Sequence, residues 1–195
     1  MSNEVFRCFG NGPGHELLAR YHDEEWGIPV HDDRLLFEML TLEGAQAGLN
    51  WETILKKREG YKAVFHDFDL GAVAAMSDAA LEALRENPDI IRNRLKIYST
   101  RSNAVAMINI QQEFGSFDAY LWGFVDGKPQ INHFTSMADV PASTPLSDHI
   151  SKDMKKRGFR FVGSTIIYAY IQGVGLVNDH VSDCWCAAQP ARQGG

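Results

Sequence analysis

The chain has 195 residues, 45% of them hydrophobic and 23% charged, with a formal net charge of −6. That length suits one domain with a sizeable core, and no apolar run approaches the ~20 residues needed to span a bilayer, so no membrane partner is expected. Three cysteines behind Met1-Ser2-Asn3-Glu4, which opens no signal peptide, argue against a disulfide scaffold and for a reducing cytoplasm.

The pattern is helical almost throughout. Asp32 or Asp33 can cap a helix whose apolar positions are Leu36, Met39 and Leu40. Asn50 can cap the next, from Trp51 through Arg58, with Gly60 as its stop. Ser77 can cap Asp78 to Glu86, after which Asn87-Pro88 breaks the helix. A long segment runs from about Leu95 to Phe114 and ends at Gly115. Ser116 opens a short aromatic helix with Phe117, Tyr120, Leu121 and Phe124. Asp126-Gly127-Lys128-Pro129 is a turn, flanked at most by two short strands. A loop follows to Ser147, read as the cap of His149 to Arg157, and a last apolar helix spans roughly Gly163 to Gly173. Residues 1–188 are expected to form one all-α domain, and 189–195 a loose tail.

One position on the first core helix is out of place. The stripe of Leu36, Met39 and Leu40 continues to Glu43, and a carboxylate there is costly unless it is paired or lines a cavity. Two readings stand: a structural salt bridge to an arginine, or a pocket with the acid on one wall and Trp51 on another. An indole face and a carboxylate suit a flat, electron-poor or cationic ring. Tyr21 and Trp26 in Tyr21-His22-Asp23-Glu24-Glu25-Trp26-Gly27 add aromatics, either to that pocket or to the core.

Near the two ends stand Cys8 and His22, and His180 and Cys184. The last two are four positions apart, which one helical turn would bring to a single face. Two thiolates and two imidazoles are the closed donor set of a structural zinc. The alternative reading makes Cys184 and Cys186 ordinary small buried residues and the histidines unrelated; Cys186 is also a further thiol able to compete as ligand.

The net charge argues mildly against a nucleic-acid partner, but binding depends on the local patch. Basic clusters lie at Arg92, Arg94, Lys96 and Arg101, at Lys152, Lys155, Lys156, Arg157 and Arg160, and at Lys56-Lys57-Arg58. They read either as solvated helix faces or as one basic face. The connector Asn87 to Lys96 joins two helices, and amides at such a helix start can hold a DNA phosphate.

Taken together, these segments resemble the 3-methyladenine DNA glycosylase I family of helix-hairpin-helix repair enzymes. The resemblance rests on Tyr21 to Gly27, Leu36 to Gly44, Gln46 to Trp51, Ile54 to Glu59, Ile90 to Arg94, Lys155 to Gly163 and Gly175 to His180. It covers nearly the whole chain, from Cys8 to Cys184. It implies an all-α helix-hairpin-helix DNA glycosylase fold, with one structural zinc on Cys8, His22, His180 and Cys184 clipping the N- and C-terminal segments together. It also implies that Glu43 contacts the extruded methylated adenine between Tyr21 and Trp51, with Trp26 nearby. The connector departs from the common hairpin by lacking its Gly-x-Gly turn, having Asp89-Ile90-Ile91 instead.

The activity so implied is monofunctional hydrolysis of the N-glycosidic bond of N3-methyladenine in double-stranded DNA, with Glu43 as the catalytic carboxylate. Methylation makes the base a cationic leaving group, so little acid–base help is needed, and extrusion is cheapest at a damaged pair. Gln46-Ala47-Gly48-Leu49 is the candidate wedge, with Gly48 and Leu49 at DNA beside Arg92, Arg94, Lys96, Lys155, Lys156 and Arg157. A monomer in the cytoplasm, at the nucleoid through its DNA, is expected; Asp118 reads as structural. Two other classes remain, a zinc hydrolase with an open metal position and a non-enzymatic zinc-stapled binding module.

Overall fold

The computed structural model describes residues 5–187, so the tail expected at 189–195 lies outside the described residues. Helices dominate. In chain order they are α1 (Glu16–Glu24), α2 (Asp33–Gln46), α3 (Trp51–Val64), α4 (Leu70–Ala74), α5 (Asp78–Ala83), α6 (Arg94–Phe114), α7 (Phe117–Trp122), α8 (Pro145–Lys156) and α9 (Ser164–Gly173). Side-chain caps set several starts: Asp32 accepts from Leu35 N, Asn50 from Thr53 N, Ser77 from Ala80 N and Ser116 from Ala119 N. Among the described residues no helix is long and apolar enough to cross a membrane.

α2 is the axle of the fold, packing against α3, α6, α7 and α9. Every residue from Leu36 to Ala45 is buried, so this helix has no solvent face rather than a single apolar stripe. α8 packs on α9, and α4 and α5 lie against the long α6.

Four expectations are corrected. Gly60 does not end its helix; α3 continues to Val64. A Cβ at Gly60 would sit 2.3 Å from Asp89 O, so the glycine serves a close approach to the connector. Thr144, not Ser147, caps α8; Ser147 is its partner in a capping box, and Pro145 supplies the first turn. No pair of strands flanks the Asp126-Gly127 turn. Instead β1 (Gln130–Ile131) pairs in parallel with β2 (Val177–Asn178), a contact between distant segments. Finally, His180 and Cys184 lie in the irregular segment beyond β2 rather than on a helix.

Candidate functional site

α2, α3 and α1 bring the expected pocket residues together. Glu43 (last turn of α2), Trp51 (first residue of α3) and Tyr21 (α1) line one cavity of about 290 Å³ with Trp26, Phe9, Gln46 and Gln172. That volume lies at the small end for ligand sites and suits a single flat ring system. Tyr21 and Trp51 stand 5.3 Å apart between ring centroids, tilted by 56°. Phe9 meets the edge of Trp26 at 5.1 Å. The Trp51 indole Nε1 is buried with no hydrogen-bond partner among the described residues. Gly173 of α9 packs closely on two of these walls: a Cβ there would lie 2.9 Å from the Tyr21 hydroxyl and 3.7 Å from Glu43 Oε1. Reasoning from sequence missed Phe9, Gln46 as a wall, and Gln172; only Phe9, adjacent to Cys8, carried a positional hint.

Glu43 is 4% exposed, and among the described residues its carboxyl makes no hydrogen bond or ion pair. Burial pushes its pKa up to about 8. The arginine that a structural salt bridge required goes to two other acids. Arg58 Nε donates to Glu38 Oε1 at 2.6 Å, and its Nη1 pairs with Glu25 at 2.7 Å. An unpaired buried carboxyl facing aromatic walls is the arrangement that favours a cation over a neutral ligand.

Cys8, His22, His180 and Cys184 offer ligand atoms that all lie within 4.8 Å of one another. His22 Nε2 and His180 Nδ1 stand 3.4 and 3.5 Å from Cys184 Sγ, and His180 Nδ1 is 3.6 Å from Cys8 Sγ. Zinc bond lengths and a tetrahedral angle place S and N ligands about 3.5 Å apart, so the donor set fits. Each histidine is also held from behind. His22 Nδ1 lies 2.9 Å from Asp23 Oδ1, which in turn holds Arg7, and His180 Nε2 lies 3.2 Å from Trp26 O. Such outer contacts orient metal-ligating imidazoles. Cys186 falls in a separate group with His22 and Asp23. Cys8, His22, His180 and Cys184 supply four donors, a closed set with no open position, which weighs against a metal-assisted hydrolase with Glu43 as its base. Trp26 joins the two centres: its ring lies 4.7 Å from His180 at 85°, and it also lines the cavity.

The methyladenine glycosylase family profile matches residues 12–187. DNA-3-methyladenine glycosylase 1 of Escherichia coli is 49% identical over 170 residues, 87% of this chain and 91% of that protein. The chain belongs to the methyladenine glycosylase family. A crystal structure of 3-methyladenine DNA glycosylase I superposes with a TM-score of 0.89 at 50% identity, covering 93% of this chain and 99% of that one. A variant of such an enzyme in complex with 3-methyladenine gives 0.89 at 33% identity, covering 97% and 100%.

Within this methyladenine glycosylase the cations expected to meet DNA divide by what they already hold. Arg92, Lys155 and Lys156 are exposed and unpaired among the described residues. Arg94 pairs with Glu82 at 2.8 Å, and Arg157 with Asp153 and Glu113. Lys96 turns inward onto two carbonyls. The Lys56-Lys57-Arg58 run is no free basic face: Lys56 pairs with Glu52, Lys57 donates to Pro88 O, and Arg58 is tied as above. Lys155 and Arg160 border a groove of about 620 Å³ with Leu95, Tyr98 and Phe161. Gly48 (φ +82°) and Leu49, 41% exposed, form the turn between α2 and α3. Asp118 lies outside the cavity, 2.7 Å from His31 Nδ1 and donating its backbone amide to Asp33.

Proposed function

We infer that this chain is a DNA-3-methyladenine glycosylase, hydrolysing the N-glycosidic bond of N3-methyladenine in alkylated DNA. The observation that carries the reading is the unpaired, buried carboxyl of Glu43 in a base-sized cavity walled by Tyr21 and Trp51. A base methylated at N3 is cationic once still attached to sugar. Its charge would lower the Glu43 pKa, releasing the proton to bulk water and leaving a carboxylate that accepts from the exocyclic amine. Stacking on Tyr21 and Trp51 adds about 1–3 kcal/mol per base. Holding the cation selects the lesion; the bond itself is weak, so departure of the base and capture of water need little further help.

DNA would enter as a duplex seated on a helix-hairpin-helix element formed by α5, the connector at 87–93 and α6. There Arg92 and the amides at the start of α6 meet phosphates, with Lys155 and Lys156 alongside. Gly48 and Leu49 would fill the gap left by the extruded base. Cys8, His22, His180 and Cys184 would hold one zinc, which supplies no reaction chemistry and clips the chain ends together. Among the described residues no lysine lines the cavity, which supports a monofunctional reaction. The setting is a monomer in the cytoplasm, working at the nucleoid.

The test is direct. Methylated duplex DNA incubated with the protein releases 3-methyladenine, and borohydride traps no covalent adduct. No released base would overturn the activity, and a trapped adduct would overturn the monofunctional mechanism.

A further inference from the structure

Lys96 stands on the first turn of α6 and by charge alone belongs with the phosphate contacts. Its ammonium points the other way. Nζ donates to Ala45 O at 2.8 Å and to Ala47 O at 2.7 Å, the carbonyls at which α2 ends. A cation there satisfies orphan carbonyls and complements the negative end of the helix dipole. Two residues before these carbonyls comes Glu43 and between them Gln46, both in the base cavity; immediately after come Gly48 and the exposed Leu49.

The other end of this link is the hairpin. α6 begins at Arg94, directly after the connector, and the connector is braced by α3. Lys57 Nζ donates to Pro88 O at 2.5 Å, and Ile91 N donates to the Tyr61 hydroxyl at 3.2 Å. Gly60 lies flush against Asp89. The hairpin is therefore stiff, and Lys96 is its tie to the turn that carries Leu49.

We propose that Lys96 is a positioning residue that couples the seating of the hairpin on DNA to the entry of Leu49 into the duplex. It fixes the turn at 46–49 against α6, so that phosphate contact at the hairpin sets the height and angle of the wedge. The proposal rests on the glycosylase reading and adds to it a division of labour among the cations. Arg92 and Lys155 meet phosphate; Lys96 does not.

Lys96→Met keeps the aliphatic stem and removes both hydrogen bonds. The expected result is about a tenfold loss in base extrusion, read by 2-aminopurine fluorescence beside the lesion, and in single-turnover excision. Affinity for free 3-methyladenine stays within about twofold, because the cavity walls stay in place. The slope of duplex affinity against salt stays unchanged, whereas loss of a phosphate contact lowers it by about one. In a Leu49→Ala background the same change costs less than about twofold, because the residue through which Lys96 acts is gone. A slope lowered by about one, an equal loss in both backgrounds, or a parallel fall in free-base affinity would each overturn the proposal. If Lys96→Met does not fold, Lys96→Gln, which can still reach one carbonyl, is read by the same two-background ratio. Wild-type protein that released no base would defeat the glycosylase reading itself.

Discussion

Two carboxylates of α2, Glu38 and Glu43, are equally buried and differ in what faces them. Glu38 has the Arg58 guanidinium at 2.6 Å; Glu43 has hydrocarbon, aromatic rings and a cavity. Burial raises the Glu43 pKa from 4.5 to about 8, so the folded chain holds a proton that the unfolded chain releases above pH 4.5. Stability therefore falls as pH rises from 4.5 and levels off above about 8, and at pH 7 the cost is about 3 kcal/mol. Glu43→Gln, a neutral replacement of the same shape, should raise the melting temperature, with a gap that widens from pH 5 to pH 8. It should also sharply reduce excision. In the wild type, capture of the cationic base should strengthen with pH as the carboxyl ionises, and the glutamine variant should show no such rise. Thermal unfolding and single-turnover excision across pH 5–8.5 check both. A variant less stable than wild type at pH 8, or a flat wild-type profile, would remove Glu43 from this role. A residue that weakens the fold while serving the ligand is the usual compromise of a binding site.

At the scale of elements, the connector into α6 makes a sharper distinction between neighbours than their charge does. Arg92 is exposed with no ion pair among the described residues, while Arg94 is bound to Glu82 and lies 4.6 Å over the Tyr98 ring. Arg92→Ala should lower the salt slope of duplex binding by about one and weaken binding uniformly across sequences. Arg94→Ala should change the slope less, because its charge is already partly neutralised. Salt titrations of the two variants decide this, and the reverse order would place the phosphate on Arg94. Such differences mark where sequence stops being legible. Local chemistry was readable: Asp32, Asn50, Ser77 and Ser116 each cap the helix their side chains announce, and Glu43 stood out as an acid among apolar residues. α1 gave no such signal, since His15 at its start makes no side-chain cap. Gly60 read as a stop because its reason, the backbone of Asp89, is distant in sequence. The basic runs were visible as charge, but whether Arg58 or Lys96 faces solvent depends on partners 20 or more residues away. The β1–β2 pairing is of the same kind.

At the scale of the whole molecule, the cluster of Cys8, His22, His180 and Cys184 is where the first and last described segments meet. Around it Trp185 N donates to Phe6 O at 3.1 Å, Val181 N donates to Cys8 Sγ at 3.4 Å, and Arg7 and the Trp185 indole share Asp23. A metal at the cluster would close nearly the full length of chain, the case in which a clip constrains most. It would also steady the cavity, since Trp26 touches both His22 and His180. The protein as purified should therefore carry one zinc, and chelation should lower its melting temperature by on the order of 10 °C. Hydrogen exchange should rise first at 5–9 and 180–187, while the centre of α2 stays protected. Affinity for free 3-methyladenine should fall only partly, because Glu43, Tyr21 and Trp51 are held by α1, α2 and α3. Cys8→Ser and Cys184→Ser should lose the metal, whereas Cys186→Ser should keep it. Zinc retained in Cys184→Ser and lost in Cys186→Ser would move the fourth ligand. A metal-stripped protein that melts unchanged yet no longer excises base would make the metal part of the chemistry rather than of the fold.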